Sequence, residues 1–153
     1  MKLFFRRYGE GPPLVILHGL YGSSDNWASI ARKLSGKFSV YLPDQRNHGE
    51  SPHSDVHDYP SMCNDLREFA DEQGLASFFL AGHSMGGKTA VLFARRWPER
   101  INGLAVADIS PFETRISNAN TFRQHLELLQ VLAGTDISGA ASRDELEKLF
   151  SES

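Results

Sequence analysis

Ser84 stands between two glycines in Gly82-His83-Ser84-Met85-Gly86, just after the apolar run Ser77–Ala81. A serine hydroxyl is a weak nucleophile until a turn presents it to a base. A sharp strand-to-helix turn of the G-x-S-x-G type does this. The chemistry would be attack on an acyl carbonyl. The spacing predicts a turn so tight that a Cβ at Gly82 or Gly86 would clash. The Met85 amide then points at the place where a tetrahedral oxyanion forms, and the following helix adds its positive dipole end. A second donor is expected from His18-Gly19-Leu20-Tyr21-Gly22, which follows another apolar run. There Gly19 lets the chain turn, the Leu20 amide faces the oxyanion, and His18 orients the loop through hydrogen bonds. Two backbone donors beside one serine is the arrangement acyl transfer requires.

The same residues fit a second pattern. Gly82 to Thr89 matches G-x-x-x-x-G-K-[ST], the phosphate-binding P-loop. Leu104–Asp108 would then be an apolar strand ending in a Mg²⁺-binding aspartate. That alternative leaves His18-Gly19 and Asp44-Gln45-Arg46-Asn47-His48-Gly49 without a role, whereas the serine nucleophile uses both. With Ser84 as nucleophile, Lys88 is a solvated helix residue and Thr89 a packing residue. A degenerate, non-catalytic scaffold used for ligand binding is a third alternative.

The elements that must position these groups are legible as apolar runs and helical periodicities. Strands are expected at Lys2–Tyr8, Leu14–His18, Ser39–Pro43, Ser77–Gly82 and Gly103–Asp108, buried on both faces. Helices are expected at Asp25–Leu34, with Trp27, Ile30, Ala31 and Leu34 on one face, and at Pro60–Gln73, with Met62, Leu66, Phe69 and Ala70 on one face. A third follows Ser84 and stops before Pro98, because Trp97 cannot be helical comfortably ahead of a proline. This alternation predicts an α/β fold with a mostly parallel sheet. After Pro111 the pattern changes. Asn118–Ala133 carries Phe122, Leu126, Leu129 and Leu132 on one stripe, and Ser142-Arg143-Asp144-Glu145 is a capping-box start. The expected division is a core at residues 1–111 and a partial helical lid at 112–153.

With these motifs placed in order, the chain resembles the α/β-hydrolase family. The residues that carry the resemblance are His18-Gly19-Leu20, Asp44-Gln45-Arg46-Asn47-His48-Gly49-Glu50-Ser51, Gly82–Gly87, Pro98-Glu99-Arg100 and Val106–Pro111. Many members have glycine where this chain has Asn47. The Arg-Asn-His-Gly form looks like the branch of small acyl-ester hydrolases of the YbfF and abhydrolase-domain-11 type. The resemblance implies a serine carboxylesterase or thioesterase with no metal or organic cofactor. It also implies the acid: in this branch an aspartate after the sixth strand of the fold can serve, and Asp108 sits at that position.

The family order is nucleophile, acid, then histidine. Of the six histidines only His125 follows Asp108, and it lies inside the expected lid helix. His83 adjoins the nucleophile but points poorly along the turn. His48 supports the loop after the third run, and His53 and His57 sit in a polar loop. The base is therefore expected in a further C-terminal portion, since single α/β domains of about 250 residues are ordinary. The 153 residues are expected to be nearly inactive alone, and Gly103–Asp108 to be an exposed sheet edge inviting self-association. The formal net charge of −3 with scattered basic residues speaks against nucleic acid. No apolar run approaches the roughly 18 residues a membrane span needs. Cys63 is the one cysteine, so no disulfide framework arises, and a cytoplasmic setting with a small-molecule ester substrate is expected.

Overall fold

Hydrophobic alternation decides how the first 109 residues fold. In the computed structural model, residues 1–109 are described, together with Gln130, Ser142 and Glu145. Five strands form one sheet: β1 (Phe5–Tyr8), β2 (Pro13–Leu17), β3 (Ser39–Pro43), β4 (Phe78–His83) and β5 (Ile101–Ala107). Their order is β1-β3-β2-β4-β5. β1 runs antiparallel to β3, and the other pairings are parallel. The helices are α1 (Ala28–Leu34), α2 (Tyr59–Glu72) and α3 (Met85–Arg96), with 3-10 turns at Ser24–Trp27 and Pro98–Arg100.

Successive residues of a strand face opposite sides, so each strand feeds two cores. Val15 and Leu17 of β2, Tyr41 of β3, and Phe78 and Leu80 of β4 meet Leu66, Phe69, Ala70, Ala90 and Phe93 of α2 and α3. Ile16 of β2 and Val40 and Leu42 of β3 meet Ala31 of α1 on the other side. Phe38 and Phe79 pack edge to face on that side, with ring centroids 5.7 Å apart. Cys63 is buried in the larger core, where desolvation pushes its thiol pKa up to about 11.

Local chemistry sets the helix ends. The Asp58 side chain accepts the Ser61 amide at 2.7 Å and caps α2, and Pro60 fits its first turn. Trp97 leaves helical geometry (φ −135°, ψ 63°) directly before Pro98, which ends α3. The first expected helix is split. Ser24–Trp27 is a 3-10 turn and α1 begins at Ala28.

Two expectations are corrected. Only β3 is buried at every position; β4 alternates, and β5 is largely exposed. Among the described residues β5 pairs with β4 alone, and its Leu104 and Val106 are exposed. Ile30, expected on the buried face of α1, is also exposed. The chain divides into two units, Met1–Ile109 and Ser110–Ser153. In the second unit Glu145 is helical and its amide donates to Ser142 Oγ at 3.3 Å, half of the expected capping box. The lid stripe Phe122, Leu126, Leu129 and Leu132, and His125, lie outside the described residues.

Candidate active site

Four chain segments leave the sheet at the C-terminal ends of β2, β3, β4 and β5, the edge where open parallel sheets gather their chemistry. Ser84 is the single residue between β4 and α3. It has φ 50° and ψ −114°, a strained conformation that non-glycine residues hold only when the surroundings force it. The forcing contacts are the two glycines. A Cβ on Gly82 would lie 2.3 Å from the Gly86 carbonyl oxygen, and one on Gly86 would lie 2.5 Å from the His18 carbonyl oxygen. Both obstacles are backbone, so no side-chain rotation relieves them. Met85 opens α3, so its amide is among those a helix cannot pair internally.

The loop after β2 is a turn closed by the Gly22 amide on the Gly19 carbonyl, 3.0 Å. Gly19 sits against the turn at Ser84: a Cβ there would be 3.5 Å from the Ser84 Cβ and 2.8 Å from His83 Nδ1. His18 ties this loop to the one after β3. Its Nδ1 is 2.8 Å from the Gly19 carbonyl oxygen, which fixes the proton on Nδ1. Its Nε2 then accepts the Gln45 amide at 3.0 Å, while Gln45 Nε2 donates to the His18 carbonyl at 2.7 Å. Burial lowers the His18 pKa against the smaller opposing effect of the Gly19 carbonyl, so the ring is neutral at pH 7. These are the hydrogen bonds through which His18 is expected to orient the loop.

The segment Asp44–Ser51 is a brace. Asp44 accepts the amides of Ser24 (2.5 Å) and Glu50 (2.9 Å), and Ser51 Oγ donates to the Asp44 carbonyl at 2.6 Å. Asn47 has φ 66°, the left-handed region where asparagine is the best tolerated substitute for glycine. Its side chain donates to the Ser54 carbonyl and accepts the Ser54 amide. Arg46 forks onto Asp65 of α2, with Nε–Oδ2 2.6 Å and Nη2–Oδ1 2.8 Å, both residues being buried. Sequence reasoning missed this pair. Its signal was present: Asp65 lies on the apolar stripe of α2 beside Leu66 and Met62, and a carboxylate there must find a cation.

Asp108 follows β5 with φ 56°, and the Ser84 amide donates to the Ala107 carbonyl at 2.9 Å. Ser84 and the expected acid are thus neighbours across two adjacent strands. The Asp108 carboxylate is 3.4 Å from His83 Nε2, and both groups are solvent-accessible. Among the described residues no histidine hydrogen-bonds the Ser84 hydroxyl. His53 and His57 are exposed, as expected of a polar loop. A cavity of about 340 Å³ opens beside the loop after β2, lined by Leu20, Tyr21, Trp27, Ile30 and His83. A second, of about 590 Å³, lies on the loop's other side against Asn47, His48 and His57.

Nothing here supports phosphate binding at Gly82–Thr89. One residue separates β4 from α3, which leaves no loop to wrap a phosphate. Lys88 is exposed and lies 6.0 Å from the Tyr59 ring, while Thr89 is buried with its hydroxyl on the Met85 carbonyl.

A family model described as alpha/beta hydrolase fold matches residues 12–143. The chain belongs to the alpha/beta hydrolase fold family. It is 47% identical over 106 residues to a Xenopus tropicalis protein named sn-1-specific diacylglycerol lipase ABHD11, covering 68% of this chain and 33% of that one. It is 35% identical over 133 residues to Esterase YbfF of Escherichia coli (strain K12), covering 87% of this chain and 50% of that one. A solved marine microorganism esterase superposes with a TM-score of 0.89 at 49% identity, covering 99% of this chain and 58% of that structure. The resemblance to the YbfF and abhydrolase-domain-11 branch is borne out. This alpha/beta hydrolase chain spans a third to a half of the length of these curated relatives. No helix among its described residues is long and apolar enough to cross a membrane.

Proposed function

We propose that this chain carries the nucleophile, oxyanion and acid positions of a serine hydrolase acting on carboxylic or thio esters. The observation that carries the proposal is the strained Ser84, held at φ 50° between two glycines that admit no Cβ. Ser84 Oγ attacks the ester carbonyl, and a histidine base takes its proton. The amides of Leu20 and Met85 hold the oxyanion, Asp108 orients the base, and the alcohol or thiol leaves. Water then attacks the acyl-enzyme and frees the acid. The relatives named as esterases and as a diacylglycerol lipase support an acyl substrate.

The base belongs, in this proposal, outside residues 1–109, and the 153-residue chain turns over poorly without it. Losing one triad member can cost several orders of magnitude. Intact-mass detection of a fluorophosphonate adduct, with Ser84→Ala as control, tests the proposal. An adduct that Ser84→Ala abolishes supports it. An adduct that persists in Ser84→Ala refutes the choice of nucleophile.

A further inference from the structure

We infer that His48 is a positioning residue for the oxyanion loop, holding it through the Tyr21 amide, and that it does so only as the neutral imidazole. The inference rests on the acyl-transfer proposal in one respect, that the Leu20 amide faces the oxyanion.

The turn Gly19–Gly22 has Leu20 and Tyr21 at its centre. Tyr21 has φ 62°, a conformation that turns normally assign to glycine. The relaxed alternative, with negative φ at that position, is reached by flipping the peptide between Leu20 and Tyr21. The Tyr21 amide donates to His48 Nε2 at 3.3 Å, and a flipped peptide would carry that N–H away from the ring. The bond therefore selects the strained turn. The peptide it fixes adjoins the one that carries the Leu20 amide, so the aim of that donor depends on it.

His48 can accept because its proton is fixed elsewhere. Its Nδ1 lies 2.9 Å from the Arg46 carbonyl oxygen, which has no proton to give, so Nδ1 donates and Nε2 keeps its lone pair. Arg46 is in turn anchored by Asp65. The His48 ring is buried between two other imidazoles, His18 from the end of β2 at 5.1 Å and His57 from the loop before α2 at 5.7 Å. The charged groups of its own loop are spoken for: Arg46 by Asp65, and Asp44 by the amides of Ser24 and Glu50. Protonation of Nε2 sets one N–H against another and releases the Tyr21 amide. His18 and His48 thus share one tautomer and grip the same turn, the first at the Gly19 carbonyl and the second at the Tyr21 amide.

The test uses ¹⁵N NMR of this chain and the rate of Ser84 phosphonylation. The Tyr21 amide shift is expected to follow the protonation of the His48 ring, read from that ring's own ¹⁵N resonances. His48→Gln, which keeps an acceptor, is expected to hold the Tyr21 resonance in place and abolish its titration. His48→Phe is expected to shift the Leu20 and Tyr21 amides and to slow phosphonylation about tenfold, less than the roughly 10²–10³ lost when a donor is deleted outright. His48→Gln should restore the rate to within about twofold of the unsubstituted chain. A Tyr21 amide indifferent to His48, or a folded His48→Phe variant labelled at the unsubstituted rate, overturns the inference. If Ser84 is never labelled, the serine is not activated in this chain, and the Tyr21 titration alone decides for or against His48. If His48→Phe does not fold, that same titration in the unsubstituted chain decides.

Discussion

Adding one methyl group at four glycines separates the steric account of the turn at Ser84 from its alternatives. In Gly82→Ala the new Cβ meets the Gly86 carbonyl oxygen at 2.3 Å and the Gly87 nitrogen at 2.7 Å. In Gly86→Ala it meets the His18 and Leu17 carbonyl oxygens at 2.5 and 2.6 Å. Real Cβ contacts essentially never fall below 3.0 Å, so β4, α3 or the loop after β2 must move. Overpacking relieved by side chains costs about 1–3 kcal/mol, and backbone obstacles put these two variants at about 3 kcal/mol or above. Gly74 has φ +67° but open space around it, so Gly74→Ala tests backbone conformation alone and should cost about 1 kcal/mol. Gly36 has neither a positive φ nor a neighbour within 4 Å, so Gly36→Ala should stabilise by about 0.4–1 kcal/mol. Urea unfolding followed by circular dichroism reads all four. With a slope of about 2 kcal/mol per molar, the first two midpoints should fall by about 1.5 M, while Gly36→Ala rises slightly. If Gly82→Ala and Gly86→Ala unfold within about 0.5 kcal/mol of Gly74→Ala, the turn tolerates a Cβ and the clash argument is wrong.

Asp65→Ala leaves the Arg46 guanidinium buried without its carboxylate and should lower unfolding stability by about 3–5 kcal/mol, with Asp65→Asn losing less; equal midpoints in urea for Asp65→Ala and the unsubstituted chain would refute the brace. Burial holds His18 below the ordinary histidine pKa, and partial desolvation, with His48 and Arg46 nearby, lowers that of the exposed His57, so the unfolded chain takes up protons first as pH falls. Stability should be fully present above about pH 6.5 and decline below it toward the folded-state values. His18→Gln should flatten that decline in urea midpoints more than His57→Gln, and an unchanged slope in both would count against the assignment. The β5 edge is proposed to pair with a second copy of this chain: sedimentation velocity should show association that weakens in Leu104→Lys/Val106→Lys, and a monomer at every concentration would rule it out.

The parts of this molecule that could be read from its sequence are those governed by local rules. Ser39–Pro43 is bounded as expected because every residue in it is buried, and the end of α3 because Pro98 restricts Trp97. Gly82, Ser84 and Gly86 announced their turn through spacing, since so few residue types fit it. What stayed hidden depends on partners distant in the chain. The antiparallel setting of β1 against β3 joins residues more than thirty positions apart, as in Phe5 opposite Pro43. The exposure of β5 is not written in its apolar composition, which reads as a buried strand; it is expected only as a sheet edge, and it follows from having a single neighbouring strand among the described residues. The tautomers of His18 and His48 could not be read at all, because each is set by carbonyl groups that only the folded loops bring near.

The amide of Ser84 makes the rung that continues the β4–β5 ladder, onto the residue immediately before Asp108. The spacing between those two groups is therefore gauged by a main-chain hydrogen bond, which every amino acid except proline can make. Substitutions along either strand can change packing, pocket shape and surface charge while the gauge stays set. A scaffold with that property lets the side chains around Ser84 and Asp108 vary one at a time without first having to realign that pair.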